Sequence, residues 1–326
     1  MAAESEFELI YTHFAAAACA RPASFMALGI GDDCALLNPP HGAQLAISTD
    51  TQVAGVHFPH NPDPFLLAQR SLAAAASDLA AMGATPLAFT LALTLPSTES
   101  AWLARFAHGL DVMAHRCDLR LIGGDTTRGP LNINFTVFGH VPTGQALTRA
   151  GATIGDWVCI GGTTGEAAAA LPLVLGERAP QSPDDETLLA RYWTPQPQLA
   201  LGQQLRGLAS AALDISDGLL ADCAHIAAAS GVKMQLHAPR IPLTKALQHS
   251  AGQRALTHAL SGGDDYVLAF TLPPSAVPAL RASGHPFWMI GRVVAGQGVQ
   301  LLDANGHDIT PAVRGYQHFG ASDEQT

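Results

Sequence analysis

Acid beside a glycine turn is the pattern that most restricts this chain. It stands at Gly29-Ile30-Gly31-Asp32-Asp33, at Gly123-Gly124-Asp125, at Asp217-Gly218 with Asp214 close by, and at Gly262-Gly263-Asp264-Asp265. Glycine lets the backbone turn sharply or approach a ligand closely. A glycine loop that cradles phosphate with N–H groups usually carries a lysine, as the P-loop does. Carboxylates in that place repel phosphate unless a cation lies between. Charged residues make up only 13% of the chain, about half the usual share, so acids gathered at glycines stand out. The formal net charge of −10 argues against a nucleic-acid surface and fits either divalent-cation binding or plain solubility. Gly29-x-Gly31 is no dinucleotide fingerprint, because the third glycine is missing and Asp32 stands where a pyrophosphate would go.

With 326 residues the chain can hold two domains, each with its own core. Hydrophobic periodicity predicts helices over 6–19, 65–82 and 99–117, and strands over 44–51, 119–122 and 131–141. The strand 119–122 should lead into a Gly123-Gly124-Asp125 turn. Residues 142–151 read as a boundary, after which strands (157–160, 211–215, 266–272, 287–294) again alternate with helices (161–175, 199–208, 217–230). The proline- and acid-rich stretch 177–197 reads as a long surface loop or broken helix. The fold class is therefore α/β (α+β), with domains over 1–148 and 149–326. The five cysteines form no C-x-x-C pair, which argues against structural zinc or a disulfide framework and suits a reducing cytosol. Glu4, Glu6 and Glu8 stand where a signal peptide needs positive charge, and the longest apolar run, 84–96, is too short to span a bilayer. The expectation is a soluble cytoplasmic protein with no membrane segment.

Asp78 interrupts the apolar helix around Leu72–Met82. A buried carboxylate without a partner costs several kcal/mol, so either that helix face is exposed or a partner exists. Together Asp33, Ser48, Thr49, Asp50, Asp78, Asp125 and Asp214 make an all-oxygen donor set, which suits Mg²⁺, Mn²⁺ or Ca²⁺ rather than zinc or copper. Any one Asp-Gly is more often a turn than a ligand. Spread along the chain, the set fits Mg²⁺ ions bridging protein and phosphate better than one Ca²⁺ loop. His57 is a candidate substrate contact or a structural histidine, and Arg128 and Arg149 are phosphate clamps or surface arginines.

Taken in order, these motifs resemble the thiamine-monophosphate kinase family. The matching stretches are 29–37, Ser48-Thr49-Asp50-Thr51 with His57-Phe58, 77–83, 123–130, 147–151, 214–218, 261–266 and 315–319. That family belongs to the superfamily of aminoimidazole ribonucleotide synthetase and selenophosphate synthetase. The resemblance implies two domains of mixed sheets flanked by helices, a homodimer, and ATP bound by the acidic N-terminal domain. It implies ATP-dependent conversion of thiamine monophosphate to thiamine diphosphate, the last step of that biosynthesis, with the C-terminal domain completing the substrate site. By position, Asp33, Ser48, Thr49, Asp50, Asp78, Asp125, Asp214 and Asp217 would hold Mg²⁺. Gly124, Asp125, Arg149 and Ser216 would contact ATP, and His57, Asp264 and Tyr316 would face thiamine monophosphate. The family usually has Glu at the position of Asp264 and often Trp at that of Tyr316.

A phosphate monoester is already mostly a dianion at pH 7, its second pKa being about 6. No general base is then expected, and direct in-line transfer needs charge neutralisation and positioning. Two rival readings are another ATP-using synthetase of the superfamily and a non-catalytic nucleotide- or cation-binding protein. A selenophosphate synthetase would want a reactive cysteine near the N-terminus, whereas Cys19 sits in an apolar stretch.

Overall fold

The structure, a computed structural model, describes residues 6–312, 315 and 316. Glu4 and residues 317–319 of the last motif lie outside the described residues. The chain divides into two compact units, with a break between Ala146 and Leu147; the segment Trp193–Gln203 belongs to the first unit.

The first unit begins with α1 (Glu6–Leu9), which passes into a π-helical turn (Ile10–Ala15) and a 3₁₀ turn (Ala18–Ala20). The predicted helix over 6–19 is broken because the Asp111 carboxylate accepts the Ala18 and Cys19 N–H groups at 3.1 and 2.8 Å. β1 (Met26–Leu28) and β2 (Leu36–Leu37) pair antiparallel and flank the first glycine turn. Then follow β3 (Ala43–Val53), α2 (Pro64–Ala81), β4 (Thr85–Leu95), α3 (Ser100–Cys117), β5 (Arg120–Arg128) and β6 (Asn132–Pro142). α2 starts where sequence chemistry allows: Asp63 Oδ1 accepts the Phe65 N–H at 2.9 Å, and Pro64 fills the first position. It stops at Gly83, whose φ is 65°. Against it lies α3, brought close by Gly109, where a β-carbon would fall 2.1 Å from the Phe65 carbonyl oxygen.

These helices cover one face of a mixed sheet ordered β3-β6-β4-β5, in which only β4 and β5 run parallel. Alternation does the sorting. Phe89, Leu93, Phe135 and Val137 bury against Leu67, Leu72, Leu79 and Phe106, and the opposite face carries Leu45 and Ile47, 46% and 58% exposed. One expectation fails here: Gly123-Gly124-Asp125 is no turn, because β5 runs straight through it. A β-carbon on Gly124 would lie 1.9 Å from the Leu91 carbonyl oxygen, so glycine is what lets β5 close on β4 beside the register shift at Phe89/Thr90.

The second unit contains β7 (Trp157–Ile160), α4 (Glu166–Val174) and α5 (Pro183–Trp193); α6 (Leu199–Leu205) comes next in the chain. It continues with β8 (Ala211–Asp214), α7 (Leu219–Ser230), β9 (Lys233–His237), α8 (Lys245–Ala251), α9 (Ala255–Ser261), β10 (Leu268–Leu272), α10 (Val277–Ala282), β11 (Trp288–Val294) and β12 (Gly298–Leu302). Its six-stranded sheet is ordered β12-β9-β11-β7-β10-β8, with only β12 and β9 parallel. α4 opens at Glu166 rather than at Gly161-Gly162, since Gly165 turns the chain at φ 87° just before it. The stretch 177–197 holds α5, so of the two expectations for it, surface loop and broken helix, the helical one fits. Leu188 and Tyr192 are buried, and Asp185 accepts from Arg178 at 2.8 Å and from the Gln181 N–H at 2.9 Å. Both sheets are mixed and flanked by helices. Among the described residues no helix is long and apolar enough to cross a membrane.

Candidate active site

In the first unit, strand alternation splits Ser48-Thr49-Asp50 between two faces of β3. Ser48 and Asp50 lie on the helix side, opposite Val137 and Phe135 in register. There the Ser48 hydroxyl donates to Asp78 Oδ2 at 2.5 Å, so the half-buried Asp78 is tied to the strand by its partner. Burial raises the Asp50 carboxyl above its ordinary range; the Gln52 amide at 3.4 Å pulls it down, the Asp78 charge pushes it up, and Arg70 pulls it down. Thr49 turns to the open face, its Oγ1 2.9 Å from that of Thr136.

His57 Nδ1 accepts the Val53 N–H at 3.1 Å, which leaves the proton of a neutral ring on Nε2. The His57 carbonyl in turn accepts from Arg70 Nη2 at 3.4 Å. Arg70 is 1% exposed and was missed by sequence reasoning. Its signal was available: it precedes Asp78 by two helical turns, on the same face of α2.

Asp33, Gly124 and Asp125 meet elsewhere in the same unit, along a cleft of about 680 Å³ lined also by Tyr11, Thr90 and Phe138. Asp32 shapes the turn, its Oδ1 accepting the Asp33 N–H at 2.8 Å. β3 and β5 are opposite edges of the sheet, three strand spacings or about 14 Å apart. Asp50 and Asp125 therefore belong to separate donor groups within this unit, and the expected ligands do not form a single cage here. Cys34 also lines the cleft. The other thiols, Cys19, Cys117, Cys159 and Cys223, are buried, and burial drives all four upward in pKa, Cys117 to about 12.

In the second unit, main-chain hydrogen bonds stitch three separate segments into one place. The Asp264 N–H donates to the Ser216 carbonyl at 2.8 Å, the Tyr266 N–H to that of Ile215 at 2.8 Å, and the Tyr316 N–H to that of Asp217 at 3.0 Å. Glycines permit the approach: a β-carbon would fall 2.3 Å from the Ser216 oxygen at Gly263 and 2.5 Å from the Asp217 oxygen at Gly315. Asp214, Ser216, Asp217, Asp264 and Tyr316 are thereby brought together. The Arg149 backbone is anchored beside β8: its carbonyl accepts from the Ser230 hydroxyl at 3.2 Å, and the neighbouring Thr148 carbonyl accepts the Ala212 N–H at 2.9 Å.

Two further acids here, Asp222 and the Asp265 of the fourth glycine turn, were given no role by the sequence. Asp222 is 4% exposed, and its Oδ2 accepts the N–H groups of Ser216, Asp217 and Gly218 at 3.1, 3.1 and 3.0 Å. Burial, joined by the charges of Asp217 and Asp214, raises it to about 7. A carboxyl titrating there could serve as a general base, but this oxygen is committed to three backbone donors. Asp217, Asp222 and His225 offer ligand atoms within 4.8 Å of one another. Asp265 is the second; its carboxylate accepts the Gly165 N–H at 2.7 Å, and burial pushes it well above the ordinary carboxylate range.

Two mixed sheets carrying separated acidic groups define a class already described. The AIR synthase related protein N-terminal domain matches residues 31–141, and the C-terminal domain of the same class matches residues 153–303. The thiamine-monophosphate kinase of Escherichia coli is 45% identical over 320 residues, covering 96% of this chain and 98% of the relative. The crystal structure of thiamine-monophosphate kinase from Stenotrophomonas maltophilia has a TM-score of 0.81 at 44% identity, over 85% of this chain and 91% of that one. A structure of AaThiL complexed with AMPPCP and TMP has a TM-score of 0.79 at 29% identity, over 86% of this chain and 89% of that one. This chain belongs to the thiamine-monophosphate kinase family.

Proposed function

We propose that this chain is an ATP-dependent kinase that transfers the γ-phosphoryl group of ATP to thiamine monophosphate, giving thiamine diphosphate. The observation that carries this reading is the assembly of Asp214, Ser216, Asp217, Asp264 and Tyr316 by backbone hydrogen bonds in the second unit, in a chain similar over nearly its whole length to thiamine-monophosphate kinases. Ser216 and Asp217 are assigned to the nucleotide side. Asp264 and Tyr316, with His57, are assigned to the thiamine phosphate.

The donor chemistry fits magnesium. Asp50 and Asp78 repel one another beside a hydroxyl donor, and a hard dication offsets that repulsion with oxygen ligands alone. Asp33, Ser48, Thr49, Asp50, Asp78 and Asp125 of the first unit, with Asp214 and Asp217 of the second, are the residues assigned to hold several Mg²⁺ ions. When bound, these ions supply charge neutralisation to the reacting phosphates. Gly124, Asp125, Arg149 and Ser216 are the residues assigned to ATP. The substrate phosphate is its own nucleophile, so no residue is assigned as base, and the phosphoryl group passes directly from ATP without a phosphoenzyme.

The first unit takes the ATP- and Mg²⁺-binding role and pairs with a second copy through its open sheet face, where Leu45 and Ile47 lie exposed. The second completes the substrate site. A homodimer acting in the cytoplasm, where ATP is made and used, follows from this reading. Incubation with ATP, Mg²⁺ and thiamine monophosphate, followed by chromatography, should reveal thiamine diphosphate. No product at saturating substrate would overturn the proposal and favour a non-catalytic nucleotide- or cation-binding protein.

A further inference from the structure

The loop from Gly262 to Tyr266 is held in an unusual conformation. Asp264 and Tyr266 have φ angles of 68° and 52°, a left-handed region that residues with a β-carbon adopt at a cost. Such strain persists only where the surroundings over-determine it, and it gathers at functional sites. Here the surroundings are explicit. Between the two strained residues, Asp265 sends its carboxylate to the start of α4, where it accepts the Gly165 N–H at 2.7 Å and the Ala167 N–H. On either side, the Asp264 and Tyr266 N–H groups are fixed on Ser216 and Ile215, each at 2.8 Å. The Tyr266 hydroxyl then donates to Asp264 Oδ1 at 2.9 Å. Asp264 is thus held at both its backbone and its carboxylate.

We infer that Asp265 is a positioning residue for the phosphate acceptor. It pins the strained loop to α4 so that Asp264, aimed by Tyr266, presents its carboxylate to the organic end of thiamine monophosphate, a cationic thiazolium joined to an aminopyrimidine. This rests on the kinase reading above. Asp265 touches no substrate itself; its effect passes through Asp264. The loop is then built before the substrate arrives, and binding does not have to order it. Asp264 is one methylene shorter than Glu, so its reach depends on where the backbone is held.

The test compares the Michaelis constants of the intact protein for thiamine monophosphate and for ATP. Asp265→Ala should raise KM for thiamine monophosphate about 10-fold, the worth of one charged hydrogen bond, with KM for ATP changed less than about twofold. Asp265→Asn keeps an acceptor oxygen in place and should recover most of that loss. Tyr266→Phe removes the bond that aims Asp264 and should raise the same KM about threefold or more, with the thermal midpoint unchanged. An unchanged KM for thiamine monophosphate in Asp265→Ala, or both KM values rising together as the protein destabilises, would overturn the inference. Where Asp265→Ala does not fold, Tyr266→Phe decides alone, and an unchanged KM refutes it. Wild-type protein that makes no thiamine diphosphate fails the kinase reading itself, before any variant is compared.

Discussion

Gly123 and Gly124 look equivalent in sequence, and the structure predicts opposite outcomes for substituting them. An alanine β-carbon at Gly124 would lie 1.9 Å from the Leu91 carbonyl oxygen and 3.0 Å from the Leu91 nitrogen. Carbon–oxygen contacts settle at about 3.3 Å or more, so β5 would have to move off β4 by over about 1 Å. Overpacking of this kind costs about 1–3 kcal/mol. The φ of +155° at Gly124, rare for a residue with a side chain, brings the expected loss to about 3 kcal/mol. For a unit of this size that is a fall in midpoint of about 6–12 °C. Asp125 moves with the strand, and a shift of about 1 Å at a positioning group can cost about 10²-fold in turnover. A β-carbon at Gly123 meets only Thr90 Cγ2, at 3.8 Å, an ordinary contact worth less than about 0.5 kcal/mol. Thermal unfolding of Gly123→Ala and Gly124→Ala, with ATP turnover of the second, checks the reasoning. Equal midpoints for the two variants would refute it.

Three other outcomes follow from the same geometry. Arg70→Met removes a buried cation that interacts with the Asp50 carboxylate and should cost about 1 kcal/mol or more; combined with Asp50→Asn the loss should fall short of the sum by about 0.5 kcal/mol or more, and strict additivity in denaturant titrations would deny the coupling. Asp78→Asn should cut turnover by orders of magnitude while the metal-free protein unfolds at a slightly higher temperature, because repulsion with Asp50 is relieved; near-normal activity would reduce Asp78 to a support for Ser48. Asp185 is held down to about 2 by Arg178 and the Gln181 N–H. A lowered carboxylate contributes stability that is whole above its ordinary pKa of about 4 and is lost as pH falls through its folded value. Asp185→Asn should therefore flatten acid unfolding between about pH 4 and pH 2, and superimposable curves would contradict this.

Much of this was legible in the sequence because the relevant forces are local. Apolar periodicity located α2, α3 and β6, and the motifs in order carried the family. The oddity of Asp78 was visible as a charge on an apolar helix, but its partner Ser48 lies on a strand 30 residues away, and only register decides which of Ser48 and Thr49 faces it. Gly123-Gly124-Asp125 has turn composition, and what makes it a strand is the proximity of the Leu91 carbonyl, a tertiary fact. In 177–197, proline and acid masked the helical spacing of Leu188 and Tyr192. Asp222 carried no sign in the sequence, and Asp265 stood there only as part of a glycine turn, with no role of its own. Each is one more acid near a glycine until folding aims backbone N–H groups at it.

The most direct test of the kinase assignment follows the phosphate itself. In a single turnover with γ-labelled ATP, Mg²⁺ and excess thiamine monophosphate, quenched over time, label should pass from ATP to thiamine diphosphate in step with ADP formation, and never reside on the protein. Label trapped on an aspartate or histidine would contradict direct transfer. Label found only in inorganic phosphate would contradict the kinase assignment.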